Sequence, residues 1–137
     1  ALAAGSFGPD READDASTPH FRLSEFHSHD GVQVPRRLRG NVQILMEQLE
    51  VLRAEISKPI TINSGYRSPE HNKNVGGVPN SQHLRGIAAD IAVSGMTPTD
   101  VHAKIEELIG AGRMFEGGLG LYSTFVHYDI RGDKARW

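Results

Sequence analysis

Apolar residues recur along this chain with two periods, and each period predicts a kind of element. Leu38, Val42, Leu45, Leu49, Leu52 and Ile56 fall three or four apart and form one stripe, which predicts a helix over 37–56. Pro35 stands at its start, where a missing N–H costs nothing, and Lys58-Pro59 is placed to end it. Val101, Ile105, Leu108 and Ile109 make a second stripe, over 98–109. Thr97 is set as its N-cap, with Pro98 at the first helical position and Asp100 in the first turn. Gly110 and Gly112 close it.

The other period is two. Ile60-Thr61-Ile62 reads as a short strand from its β-branched content. From Gly86 to Val93, Ile87, Ala89, Ile91 and Val93 face one side, and Ala88, Asp90 and Ala92 the other. Gly117–Tyr122 and Phe125–Ile130 read as two strands of a hairpin joined through Ser123-Thr124. In the second, Val126, Tyr128 and Ile130 share one face, and Phe125, His127, Asp129 and Arg131 the other. Ser64–Pro69 is a turn, and 70–82 a loop or a short helix and a loop. The pattern predicts one α+β domain over 21–137, a small, mainly antiparallel sheet packed on two main helices.

Residues 1–20 lack apolar periodicity and are expected to be a flexible tail or linker. Ala1-Leu2-Ala3 fits either the end of a secretory signal or a linker remnant. Phe21, Leu23 and Phe26 are expected to pack on the domain, before a turn at His27–Gly31.

Composition narrows the function. The chain has 137 residues, enough for one core, with 38% apolar residues and a net charge of −2. Neither balance nor clustering suggests a nucleic-acid surface, and no apolar run reaches membrane-spanning length. There is no cysteine, so a transition metal would have to be held by histidines and carboxylates.

One stretch, Ser81–Ile91, offers such ligands. Asp90 sits among Ala89, Ile91 and Ala92, where a carboxylate is costly to bury unless it is paired or bound to a metal. His83 lies at the entrance to that strand, and His127 on a polar strand face would complete a His/Asp/His set if the two strands are neighbours. By spacing alone, a surface histidine and a hydrogen-bonded aspartate are the commoner arrangement. His27 and His29 could form a second metal site, but solvated loop histidines are the better reading of that pair. His20, His71 and His102 are read as surface residues, Tyr128 as core and Trp137 as a packing anchor.

Ser81-x-His83-x-x-Gly86-x-Ala88-x-Asp90 resembles the signature of the zinc D-alanyl-D-alanine carboxypeptidases, a family that includes the D,D-dipeptidases of vancomycin resistance and several phage endolysins. Ser64-Gly65-Tyr66-Arg67-Ser68 resembles its arginine-bearing turn, and Phe125–Asp129 its last ligand motif. The ending, Arg131-Gly132 through Trp137, looks like the bacterial and prophage cell-wall branch. The resemblance implies a fold like that of the hedgehog signalling domain and the D,D-peptidases. It also implies zinc on His83, Asp90 and His127, and hydrolysis of peptidoglycan peptide near D-alanine by attack of zinc-bound water. Arg67 would bind a substrate carboxylate or carbonyl; its alternative is a structural salt bridge. Ser81 would donate to substrate or cap a turn. The dipeptidase branch carries an acid three residues before the last ligand, where this chain has Thr124. Asp129 is then the best general base, or else an orienting partner of a ligand histidine; Glu116 and Glu70 rank behind it. The implied setting is the periplasm, the cell wall or the extracellular space, or the cytoplasm before lysis for a prophage protein. The expected partner is peptidoglycan peptide, met by a monomer, with no nucleic acid and no membrane insertion. The other class of function is an inactive zinc-stabilised binding or structural domain, in a phage tail or at the wall.

Overall fold

The computed structural model describes residues 17–137. Its strands are β1 (Ser17–Thr18), β2 (Phe21–Arg22), β3 (Ile60–Ser64), β4 (Ala88–Val93), β5 (Gly118–Leu121), β6 (Val126–Asp129) and β7 (Ala135–Arg136). Its helices are α1 (Arg39–Ile56), α2 (Pro69–Asn74) and α3 (Pro98–Gly110).

The long helix obeys its stripe. Val42, Leu45, Met46, Leu49 and Leu52 are fully buried. It does not begin directly after Pro35, because Arg36–Leu38 first make a 3-10 turn. It stops at Ser57, in the left-handed region at φ 54°, whose N–H donates to the Arg53 carbonyl at 2.9 Å. The stop thus falls just before Lys58, the residue that Pro59 restricts. In α3 the Thr97 hydroxyl accepts from the Asp100 N–H at 3.1 Å, and the helix runs to Gly110 before Gly112 turns the chain at φ 74°. The open choice for 70–82 resolves as a short helix, α2, capped by Ser68.

Five strands form one sheet in the order β3-β4-β6-β5-β7. All neighbours are antiparallel except β5 and β7, so the sheet is mainly antiparallel, as the pattern predicts. Ala89, Ile91, Val126, Tyr128 and Leu119 put one face of the sheet into the core shared with α1 and α3. That burial of apolar area is the main favourable term for the fold. Tyr128 keeps its hydroxyl satisfied by donating to the Phe115 carbonyl at 2.7 Å.

Regular structure is present from Ser17, within the stretch expected as a tail. Ser17 and Thr18 pair with Arg22 and Phe21, and β1 lies against α1. The rest of the expected tail, 1–16, lies outside the described residues. No helix among the described residues is long and apolar enough to cross a membrane.

Candidate metal centre

The antiparallel register of β4 and β6 places Asp90 directly opposite His127. Both lie on the sheet face away from the core, as the alternation predicts. His83 comes from a 3-10 turn, Gln82–Arg85, just before β4. Ser81 opens that turn, its Oγ accepting the His83 N–H at 3.2 Å. Gly86 closes it at φ 70°, and a Cβ there would also meet Val42 of α1 and Leu38 of the 3-10 turn before it at 3.3–3.4 Å. The left-handed backbone and this close approach both call for glycine at position 86.

Each imidazole is held by a different acceptor. His83 Nδ1 lies 2.7 Å from the Gly65 carbonyl, and His127 Nε2 lies 2.7 Å from Asp129 Oδ2. A carbonyl and a carboxylate only accept, so those two nitrogens carry the protons. The lone pairs of His83 Nε2 and His127 Nδ1 are then left to face Asp90 Oδ1, at 3.3 and 3.1 Å. Ligand atoms of the three residues lie within 4.8 Å of one another, and all three side chains are buried. Three acceptors converging on one point repel unless a proton or a cation lies between them. The arrangement therefore fits a metal ion. Without one, the groups lean on each other. Burial pushes the Asp90 pKa up, but its contacts with His127 and His83 outweigh it and hold the carboxyl well below its usual range. Burial pulls the His127 imidazole down, and its contacts with Asp129 and Asp90 more than reverse that.

Asp129 is 0% exposed. Its oxygens accept from the Gly118 N–H at 2.9 Å, the Arg131 N–H at 3.1 Å, and Arg131 Nε and Nη2 at 2.9 and 2.8 Å. Gly118 leaves room for this, since a Cβ there would collide with the Asp129 carboxylate. Burial raises the Asp129 pKa, but the bonds to His127 and Arg131 prevail and the carboxyl is held far down. Asp129 is thus hydrogen-bonded on every side, with His127 as one of its partners.

A cleft of about 540 Å³ opens over the cluster. Arg67, Ser81, His83, Asp90 and His127 all line it, whereas Asp129 does not. Among the described residues, Asp90 is the one carboxylate in the lining. Glu116 is drawn off into a 2.7 Å pair with Arg136, and Glu70 is exposed on α2. Arg67 is partly engaged, with Nη2 3.4 Å from Asp90 Oδ2 and Nη1 3.2 Å from Asn72 Oδ1. The larger cavity, about 750 Å³ along Ser17–His27, contains none of these residues.

His27 and His29 do not form a metal group. His27 Nδ1 accepts the Val34 N–H at 3.0 Å, and the His29 ring sits 6.0 Å from that of His71. Among the described residues, the three-ligand cluster is the one at His83, Asp90 and His127. Trp137 is more than a packing anchor. It is 47% exposed in the cleft wall, with its ring 4.9 Å from that of His127. A signal for this was present in the sequence. Gly118 and Gly120 alternate on the face that carries the site, and a Cβ at Gly120 would come within 2.5 Å of the Trp137 indole.

The family model described as Peptidase M15 matches residues 19–129. A zinc D-Ala-D-Ala carboxypeptidase of Streptomyces albus G is 46% identical over 54 residues, which are 39% of this chain and 21% of that protein. The chain thus aligns with about a fifth of the length of this curated relative.

Proposed function

This chain belongs to the peptidase M15 family, and from that premise we propose that it is a zinc metallopeptidase. Its substrate on this reading is bacterial cell-wall peptide, cut near D-alanine as a D,D-carboxypeptidase or an endopeptidase. The relative named as a zinc D-Ala-D-Ala carboxypeptidase supports both the metal and the substrate class. The observation that carries the reading is the paired tautomer control: Gly65 and Asp129 turn one lone pair of each imidazole toward Asp90. Two imidazoles and one carboxylate are a donor set that suits catalytic zinc.

His83 Nε2, Asp90 Oδ1 and His127 Nδ1 would hold the ion. When bound, zinc supplies Lewis acidity, polarising the scissile carbonyl and acidifying water. The remaining work belongs to the chain. Asp129 positions His127 and fixes its proton on Nε2. Arg67 has five N–H donors, of which Asp90 and Asn72 engage two; the others are free to hold a peptide carboxylate or carbonyl. Ser81 spends a lone pair on the His83 N–H and keeps its O–H to donate into the cleft. The structural and the substrate-facing alternatives for Arg67 and Ser81 are therefore compatible. The setting on this reading is the periplasm or cell wall, or the cytoplasm before lysis if the chain is prophage-encoded.

A second reading is a zinc-stabilised binding domain without turnover. One observation favours it: among the described residues the cleft lining has no carboxylate beyond Asp90, and Thr124 stands where the dipeptidase branch carries an acid. One experiment separates the two. The zinc-loaded protein is given soluble muropeptides, with and without a chelator, and release of D-alanine or shortened peptides is followed. Chelator-sensitive release supports the peptidase. Stoichiometric zinc with no release from any muropeptide overturns it and leaves the binding domain.

A further inference from the structure

The sheet order spreads the cleft across the strands. Arg67 follows β3, Asp90 is on β4, His127 on β6, and Tyr122 follows β5, next to the Trp137 that ends the β7 segment. The substrate side already assigned, Arg67, is thus at one end of the row, and an aromatic wall is at the other. That wall is fixed from several directions. The Tyr122 ring stacks on Phe125 at 4.4 Å and 10°, across a turn closed by the Tyr122 N–H on the Phe125 carbonyl at 3.1 Å. Trp137 is tied to β5 through its N–H on the Leu119 carbonyl and its carbonyl on the Leu121 N–H. Gly120 leaves room for its indole, and the Arg131 guanidinium lies 5.4 Å from the ring centre.

Within this wall Trp137 Nε1 donates to the Tyr122 hydroxyl at 2.8 Å. An indole N–H can only donate, so it occupies a lone pair of the phenol oxygen and leaves the phenol hydrogen to be given elsewhere. Both residues line the cleft, Tyr122 41% exposed and Trp137 47%. Water could replace a bond between two groups so exposed, so it adds little to the fold. Its consequence is directional.

We infer that Tyr122 is a substrate-contacting residue, its hydroxyl donating to a peptide carbonyl on the side of the scissile bond away from Arg67. Trp137 is the positioning residue that aims it. The inference rests on the peptidase reading for its ligand. A donor at each end of the row holds an acceptor-rich peptide across the metal ligands, while the aromatic faces supply apolar contact.

The test uses the zinc-loaded full chain and a soluble stem peptide ending in D-Ala-D-Ala. Tyr122→Phe keeps the Phe125 stack and removes only the hydroxyl. It is expected to raise KM about three- to tenfold with little change in kcat, as for loss of one hydrogen bond made equally in ground and transition states. Trp137→Phe keeps an aromatic wall and should move KM the same way, and the double variant should be no worse than Tyr122→Phe. Trp137 is the chain's single tryptophan, so its indole N–H gives one side-chain resonance, expected to shift in Tyr122→Phe and on adding peptide. An unchanged KM in Tyr122→Phe, additive losses in the double variant, or an unmoved indole resonance each overturns the inference. A wild-type chain that cleaves while Tyr122→Phe behaves identically sinks the inference alone. A wild-type chain that neither binds nor cleaves the peptide sinks the peptidase reading with it.

Discussion

Strands β4 and β6 are buried on both faces, and the two faces are built on opposite principles. Toward the helices lie Ala89, Ile91, Val126 and Tyr128; away from them lie Asp90, His127 and Asp129. The apolar face is held by area removed from water, which has no direction and accepts small changes of shape. The polar face is held by pairs. Asp129 has four N–H donors from Gly118 and Arg131 besides His127, and Asp90 has the Arg67 guanidinium beside it and the imidazoles of His83 and His127 turned toward it. Each group there is tolerable only because of its partners. The lesson is that equal burial means different things one residue apart along a strand.

Breaking a partner on the polar face should therefore cost more than trimming the other face. Arg131→Ala is expected to destabilise by about 3 kcal/mol, the lower end for a broken buried pair, since backbone N–H groups and His127 still face Asp129. Ile91→Val, one residue from Asp90, should cost only about 0.5–1.5 kcal/mol and leave zinc binding unchanged. Urea unfolding of both variants checks the contrast, and equal costs would break it.

The smallest effect sharpens the same contrast through pH. Asp90 and Asp129 have depressed pKa values, so their contribution is present above the ordinary 3.8 and lost as pH falls through the folded values. His127 has a raised pKa, so its contribution is full below 6.5 and lost as pH climbs through the folded value. His27, lowered by burial, titrates below 6.5 and leaves the alkaline limb untouched. The urea midpoint of the metal-free chain should thus fall as pH rises above 6.5. Excess zinc should reverse the trend, because a metal needs the neutral imidazole. The aliphatic residues of the apolar face contribute nothing to either slope, and Tyr128, whose phenol burial pushes up, acts only above its ordinary 10.

Much of this was legible in the residues. Helical spacing located α1 and α3, and alternation put Asp90 and His127 on one face of their strands. Alternation also placed Asp129 beside His127. It could not show that Arg131, two residues further on, folds back onto the same carboxylate and takes it out of reach of the cleft. That depends on side-chain direction at the end of β6, not on period. The Gly65 carbonyl was invisible because backbone acceptors carry no sequence signal. β7 is only two residues long, too short to show a period, and it owes its place to Arg136, whose guanidinium meets Glu106, Glu116 and the Gly117 carbonyl. β1, Ser17–Thr18, is as short and shows no period for the same reason.

On the proposed reading, Gly65 and Asp129 set the metal site of the polar face in advance. Calorimetric titration of zinc into the metal-free chain and its Asp129→Asn variant tests it most directly. One zinc per chain is expected, bound about 10–100-fold more weakly in the variant, as when the partner that orients a ligand histidine is lost. No zinc uptake by the wild type would contradict the site. Equal affinity in Asp129→Asn, with hydrolysis lost, would return Asp129 to the role of general base.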